Sequence, residues 1–230
     1  MVRELFNSIA ERYDLANRLI SLNLDCCWRR RTCEEALEAL SPAGGRISVL
    51  DVACGTGDML RCLKKKLDEK GICAEFYGLD CSENMLEVAK KKVPFARLVP
   101  GFAEEMPFDD ESFDFITVAF GVRNFFDRRK AIGELYRVLK PDGVLAVLEF
   151  SRNPSILGKL AWFYTERVVP LVGGLITGNK KAYSYLAESI GKFPYPEELA
   201  KEFESAGFST LKLRWLFPRI AFLLLLRKGR

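Results

Sequence analysis

At 230 residues, with 49% hydrophobic and 29% charged side chains, the chain has ordinary globular composition and can enclose one sizeable core. Its net charge of +4 comes from short scattered groups such as Arg29 to Arg31 and Lys64 to Lys66, which argues against a nucleic-acid partner. The absence of histidine argues against most zinc catalysis and removes the usual general base, while seven cysteines without a C-x-x-C pair fit reduced thiols in the cytoplasm.

Met1 to Ala10 mixes Arg3, Glu4 and Asn7 with apolar residues, so no signal segment is expected and the protein should be soluble. Phe6, Ile9, Ala10 and Tyr13 follow helical spacing and predict an N-terminal helix with one apolar face. Tyr13-Asp14-Leu15-Ala16-Asn17 comes next, then Ser21 and Trp28-Arg29. Thr32 to Leu40 reads as a second helix, punctuated by Ser41-Pro42-Ala43-Gly44-Gly45.

Ser48 to Asp58 reads S-V-L-D-V-A-C-G-T-G-D, an apolar strand that reaches an acid, Asp51, and passes into a glycine turn. Val49, Leu50 and Val52 suit a strand buried on both faces, Gly55 and Gly57 let the backbone approach a ligand, and Asp58 starts a helix. Leu60 stands where a dinucleotide fingerprint wants its third glycine, and no Gly-Lys-Ser/Thr closes a P-loop. A second apolar strand, Phe76 to Asp80, again ends in an acid, placed to accept hydrogen bonds from both hydroxyls of a ribose. Ser82, Glu83 and Asn84 then open a helix with Met85, Leu86 and Ala89 on one side.

A third strand is predicted over Ala96 to Val99, followed by a loop from Gly101 to Phe108. The fourth strand, Ser112 to Phe120, leads into Gly121-Val122-Arg123-Asn124, where side chains face the ligand crevice of an open α/β sheet. The bland alternative makes Arg123 a surface charge and Asn124 a turn cap. Arg128 to Leu139 has helical spacing, Lys140-Pro141-Asp142-Gly143 breaks it, and Val144 to Phe150 is the fifth strand. Helical segments run from Ile156 to Val169 and Asn179 to Ile190, with a break at Gly173-Gly174. Lys159, Glu166, Arg167 and Pro170 make Ile156 to Ile176 a poor transmembrane span that can still touch lipid. Glu197 to Ala206 is the last helix, capped by Gly207, and Ser209 to Trp215 with Ile220 to Leu226 forms a hairpin with Pro218 in its turn.

The glycine turn and the acid that ends the second strand resemble the cofactor motifs of class I S-adenosylmethionine-dependent methyltransferases. That resemblance implies S-adenosylmethionine as cofactor, with Asp80 on the ribose and Asp51, Gly55, Thr56, Gly57, Cys81, Phe102, Ala103 and Ala119 as further contacts. Phe102 stands where the adenine loop usually carries a polar side chain, so either stacking and the Ala103 backbone hold the adenine or the polar contact is absent. More specifically, Y-D-x-x-N…S…W-R, F-G-V-R-N, E-F-S with Pro154, and Tyr183-x-Tyr185-Leu186-x-x-Ser189-Ile190…Phe193-Pro194 resemble the ubiquinone/menaquinone biosynthesis C-methyltransferase family. Ala16, Asn23 and Asp25 depart from that family's Met, Gly and His.

The family implies a doubly wound α/β fold, Rossmann-like, with a seven-stranded, mostly parallel sheet ending in an antiparallel hairpin. It implies a helical cap over 1–45, a cofactor-binding core over 46–150, a helical lid over 151–195, and the last helix and hairpin over 196–230. The implied reaction is C-methylation of a reduced polyprenyl quinol, demethylmenaquinol to menaquinol, with methylation of a sterol or phenolic acceptor as alternative. A nicotinamide oxidoreductase is disfavoured by the missing third glycine, and a non-catalytic cofactor-binding protein is the remaining class. Arg123, Asn124 and Tyr183 are the catalytic candidates, and no metal is implied. A proton acceptor is expected near the quinol, in the order of a water held by Arg123 and Asn124, then Tyr183, then Asp14 or Asp25. A lipophilic quinol, peripheral membrane contact and a homodimer complete the implied partners.

Overall fold

Seven apolar segments become strands: β1 Ile47–Val52, β2 Ala74–Asp80, β3 Ala96–Pro100, β4 Phe113–Ala119, β5 Leu139–Phe150, β6 Phe208–Leu216 and β7 Ala221–Lys228. They form one sheet in the order β3-β2-β1-β4-β5-β7-β6. The first five run parallel, and β7 enters antiparallel between β5 and β6, as the predicted closing hairpin requires. This computed structural model describes residues 4, 7–40 and 45–229. Phe6 and the predicted Ser41 to Gly44 punctuation lie outside them.

Helices cover both faces, as parallel strands buried on both sides demand. On one face α2 Leu24–Ala39, α3 Asp58–Glu69 and α4 Glu83–Lys92 bury Leu37, Leu60, Leu63 and Leu86 against Val49 and Phe115. On the other, α5 Arg128–Val138 and α9 Pro196–Ser205 bury Ile132, Leu135, Leu199 and Phe203 against Leu50 and Ile116. Each helix buries positions three or four residues apart, the stripe that an amphipathic helix turns inward. A third cluster joins α1 Ala10–Ile20 to α7 Val169–Thr177 and α8 Lys180–Lys192, with Ile9, Ala16, Ile20, Val169 and Tyr183 buried together over the strand ends.

Two predicted breaks fall elsewhere. Gly173 and Gly174 lie inside α7, and the chain bends instead at Val168, after α6 Ile156–Arg167, and at Gly178, where φ is 75°. The reason is close packing: a Cβ on Gly173 would lie 2.4 Å from Cγ of Tyr183, so the missing side chain lets α7 approach α8. Likewise Lys140 to Gly143 belongs to β5, which shifts register so that Phe113 pairs with Leu139 and Phe115 with Val144. The turn residues there make a bulge rather than a loop.

Candidate active site

The strand order reverses between β1 and β4, and in open α/β sheets the crevice beyond that point is where ligands bind. The backbone there is unusually tight. Ala53, Gly55, Gly57 and Phe120 all have positive φ, and a Cβ on Gly121 would sit 2.6 Å from that of Ala53. The turns after β1 and β4 therefore touch, and a cavity of about 920 Å³ opens beside them.

Of the expected cofactor contacts, Gly55, Asp80, Cys81, Phe102, Ala103 and Ala119 line this cavity. The Gly55 and Ser82 N–H groups each donate to one Asp80 carboxylate oxygen at 2.8 Å, which fixes the group and leaves each oxygen a further acceptor direction. Burial pushes the Asp80 pKa up, while those two N–H bonds oppose the shift. Phe102 is 54% exposed, a flat ring at the cavity rim suited to stacking.

Asp51, Thr56 and Gly57 lie off the cavity wall. Asp51 is interior and accepts the Thr117 hydroxyl at 2.7 Å; burial pushes its pKa up to about 7, against the pull of Thr117 and Arg29. The Thr56 hydroxyl donates to Asp14 at 2.6 Å and accepts from Lys92 at 3.2 Å. Lys92 in turn pairs with Asp14 and Asp58, each at 2.5 Å. This network ties α1 to α3 and α4, so Thr56 acts on the cap, and both Asp14 oxygens are occupied. A side chain at Gly57 would strike Val93 at 2.8 Å, so this glycine serves packing of the turn.

Arg123 is no surface charge. Its side chain is 4% exposed, and its Nη1 donates at 2.6 Å to both the Glu149 carboxylate and the Phe120 carbonyl. Glu149, at the end of β5, is fully buried and also accepts the backbone N–H groups of Arg123 and Phe150. Asn124 sits in a 3-10 turn, Val122–Asn124, donating weakly to the Phe120 carbonyl and accepting the Tyr185 hydroxyl at 3.2 Å. Sequence reasoning gave Glu149 no role. The available signal was an acid at the C-terminal end of the strand beside the one that delivers Arg123.

A second, smaller cavity of about 80 Å³ lies under α1, α2 and α8. Tyr13, Phe120, Arg123 and Tyr185 line both cavities, so they form the wall between them. Phe120 and Phe150 stack with centroids 4.4 Å apart, with Arg29 over the first ring and Arg123 over the second. Among the described residues, Asp25 Oδ2, Arg29 Nε, Arg123 Nε and the Tyr183 hydroxyl are buried without a hydrogen-bond partner, and all four residues line this cavity. Thr177 is near enough to Tyr183 for an electrostatic contact but makes no hydrogen bond of ordinary geometry. Burial, then the neighbouring Tyr13, push the Tyr183 pKa well up, so this phenol suits donation rather than the base role expected of it.

Residues 1–220 match the sequence profile of the ubiE/COQ5 methyltransferase family. The chain belongs to that family. It is 46% identical over 210 residues to a demethylmenaquinone methyltransferase of Thermus thermophilus, covering 89% of this chain and 91% of that one. It is 44% identical over 206 residues to one of Thermotoga maritima, covering 89% and 86%. It is 37% identical over 212 residues to a ubiquinone/menaquinone biosynthesis C-methyltransferase UbiE of Campylobacter jejuni, covering 90% and 89%. A solved S-adenosylmethionine-dependent methyltransferase from Thermotoga maritima shares the fold over the full length of both chains, with a TM-score of 0.66 at 21% identity.

This family member is therefore an S-adenosylmethionine-dependent methyltransferase, which sets aside both the nicotinamide oxidoreductase and the non-catalytic reading. The residues present fit that cofactor. The main cavity combines a backbone turn without a Cβ at Gly55, a carboxylate with two oriented oxygens and an exposed aromatic rim.

Proposed function

We propose that this chain methylates a ring carbon of a reduced, lipid-tailed naphthoquinol, converting a demethylmenaquinol to a menaquinol. The observation that carries the reading is the pair of adjoining cavities, one with the Asp80 cradle and one with polar atoms set in apolar walls. Names carried by the relatives, demethylmenaquinone methyltransferase among them, point to the same acceptor.

S-adenosylmethionine, when bound, supplies a methyl group on a positively charged sulfonium, open to in-line displacement. Asp80 would hold its ribose, Phe102 would stack on its adenine, and Gly55 would let the backbone pass close beneath it. The acceptor must be the reduced ring, because a quinone carbon is electrophilic whereas a hydroquinol that loses a hydroxyl proton is electron-rich at the neighbouring carbon. Arg123, anchored by Glu149 at Nη1, keeps Nε–H for a ring oxygen, and Asn124 and Tyr185 hold the wall between donor and acceptor. The cap helices would exclude water, which favours alignment over hydrolysis.

Among the described residues no helix is long and apolar enough to cross a membrane. The lid instead exposes Ile156, Leu160, Phe163 and Leu175, and Leu22 is exposed at the end of the cap helix. This apolar surface would rest on lipid and admit a tailed substrate. It is also the face through which a homodimer would form, and vesicle sedimentation beside light scattering separates the two. Quinones extracted from cells with and without the gene test the function itself. Loss of the methylated naphthoquinone with gain of its demethylated form is expected, and an unchanged quinone pool refutes the assignment.

A further inference from the structure

Asp25 stands in the first turn of α2, where the family pattern carries His, and only 4% of it is exposed. The Ser21 hydroxyl donates to its Oδ1 at 2.8 Å and so orients the carboxylate. Its Oδ2 has no partner among the described residues. An unsatisfied buried acceptor is costly, the more so when charged, so Oδ2 stands ready to accept a hydrogen bond from a ligand. Arg29 Nε and Arg123 Nε, two unpartnered donors, line the same cavity, whose walls include Ile9, Ile20, Phe120 and Phe150. One acceptor and two cationic donors around an apolar slot match the hydroxyl-bearing edge of a flat ring that extends into the larger cavity.

The competing bases are occupied or unsuited. Asp14 is bound by Thr56 and Lys92, Glu149 by Arg123, and the Tyr183 phenol is driven toward its protonated form. We propose that Asp25 Oδ2 is the base that takes the hydroxyl proton of the reduced ring, a reading that rests on the quinol assignment above. The ring O–H bond breaks, an O–H bond forms at Oδ2, and the electron pair stays on the ring oxygen, facing Arg29 and Arg123. The neighbouring ring carbon gains electron density for attack. Loss of the proton from the methylated carbon to solvent then restores the aromatic ring, and Oδ2 returns its proton to the ring oxygen, so each turnover releases one proton overall and leaves Asp25 ionised again.

The ionisable groups that face or bear on Asp25 are Arg18 and Tyr13 from α1, Cys26 and Arg29 from its own helix, Tyr183 and Tyr185 from α8, and Arg123. Burial raises the pKa of Cys26, Tyr13, Tyr183 and Tyr185 above already alkaline values, and Arg18 stays cationic. Cys26 and the three tyrosines are therefore poor proton acceptors, which leaves Asp25 as the residue to vary.

The test compares kcat against pH for the full-length enzyme and its Asp25→Asn and Asp25→His variants, with a reduced short-tailed demethylmenaquinone as substrate. Asp25→Asn should lower kcat at neutral pH by about 100-fold or more, with S-adenosylmethionine affinity and quinol KM held within about twofold. Its remaining rate should climb with pH as hydroxide ionises the ring directly. Asp25→His should recover at least about tenfold of that loss and move the acid limb toward the ordinary imidazole range near pH ~6.5. An Asn variant with the parent's kcat and profile overturns the proposal, as does a His variant that is slow with the acid limb unmoved. If Asp25→Asn fails to fold, the limb of Asp25→His decides. A parent enzyme that does not methylate the quinol refutes the quinol assignment, a separate outcome from these.

Discussion

Arg123→Ala should destabilise the folded protein by about 3–5 kcal/mol, the cost of stranding one member of a buried ion pair. Glu149 is 0% exposed and receives Arg123 Nη1 at 2.6 Å, the Arg123 N–H at 3.2 Å and the Phe150 N–H at 2.8 Å. Truncation removes the charged donor, worth about 1.5–3 kcal/mol, and leaves a buried anion facing two neutral N–H groups. It also removes the guanidinium from the Phe150 face and the donor to the Phe120 carbonyl. Urea denaturation of parent and variant measures the difference. A loss under about 1 kcal/mol at neutral pH would refute the view that this pair helps hold the site together. Arg123→Lys keeps a cation for Glu149 while removing Nε–H, and should lower turnover by about two orders of magnitude with cofactor affinity nearly constant.

Asp80→Ala should weaken S-adenosylmethionine binding by about 2 kcal/mol or more, read by calorimetry, and unchanged affinity would remove Asp80 from the ribose site. Gly173→Ala should lower Tm and loosen the lid, because its methyl group would meet the Tyr183 ring at 2.4 to 2.6 Å; a variant as stable as the parent would show that α7 moves freely against α8. Asp51→Asn should stabilise the apo protein increasingly as pH rises from 4 to 7. Burial has raised the Asp51 pKa from 3.8 to about 7, so the stability of its protonated form is present at low pH and lost as pH climbs through the folded value. Urea midpoints of the two proteins that differ equally at pH ~5 and pH ~8 would contradict that burial.

The parallel core was legible because β1 and β2 are near-continuous apolar runs that each reach an acid, and because the helices between them bury residues at helical spacing. Asp80 and Phe102 were legible for the same reason: Asp80 ends β2 and Phe102 follows the end of β3, and the pattern marks both strand ends. Thr56 and Gly57 lie in the same motif yet off the cavity wall, since a glycine turn marks where a chain bends and not which residues line the space beside it. The Arg123 to Glu149 pair spans neighbouring strands and needs the sheet order, which local sequence does not carry. Gly173-Gly174 reads as a break by propensity, and only the approach of Tyr183 explains glycine within a helix. Asp25 reads as a departure from a family motif until its unpaired oxygen is seen beside two unpaired guanidinium donors.

The most direct measurement mixes purified protein and S-adenosylmethionine carrying a labelled methyl group with demethylmenaquinone, either reduced or left oxidised, and follows the label by mass spectrometry. The account predicts one labelled methyl on the naphthoquinone ring of the reduced sample and none on the oxidised one. Label at a ring oxygen, equal transfer to the oxidised quinone, or no transfer to either would contradict it.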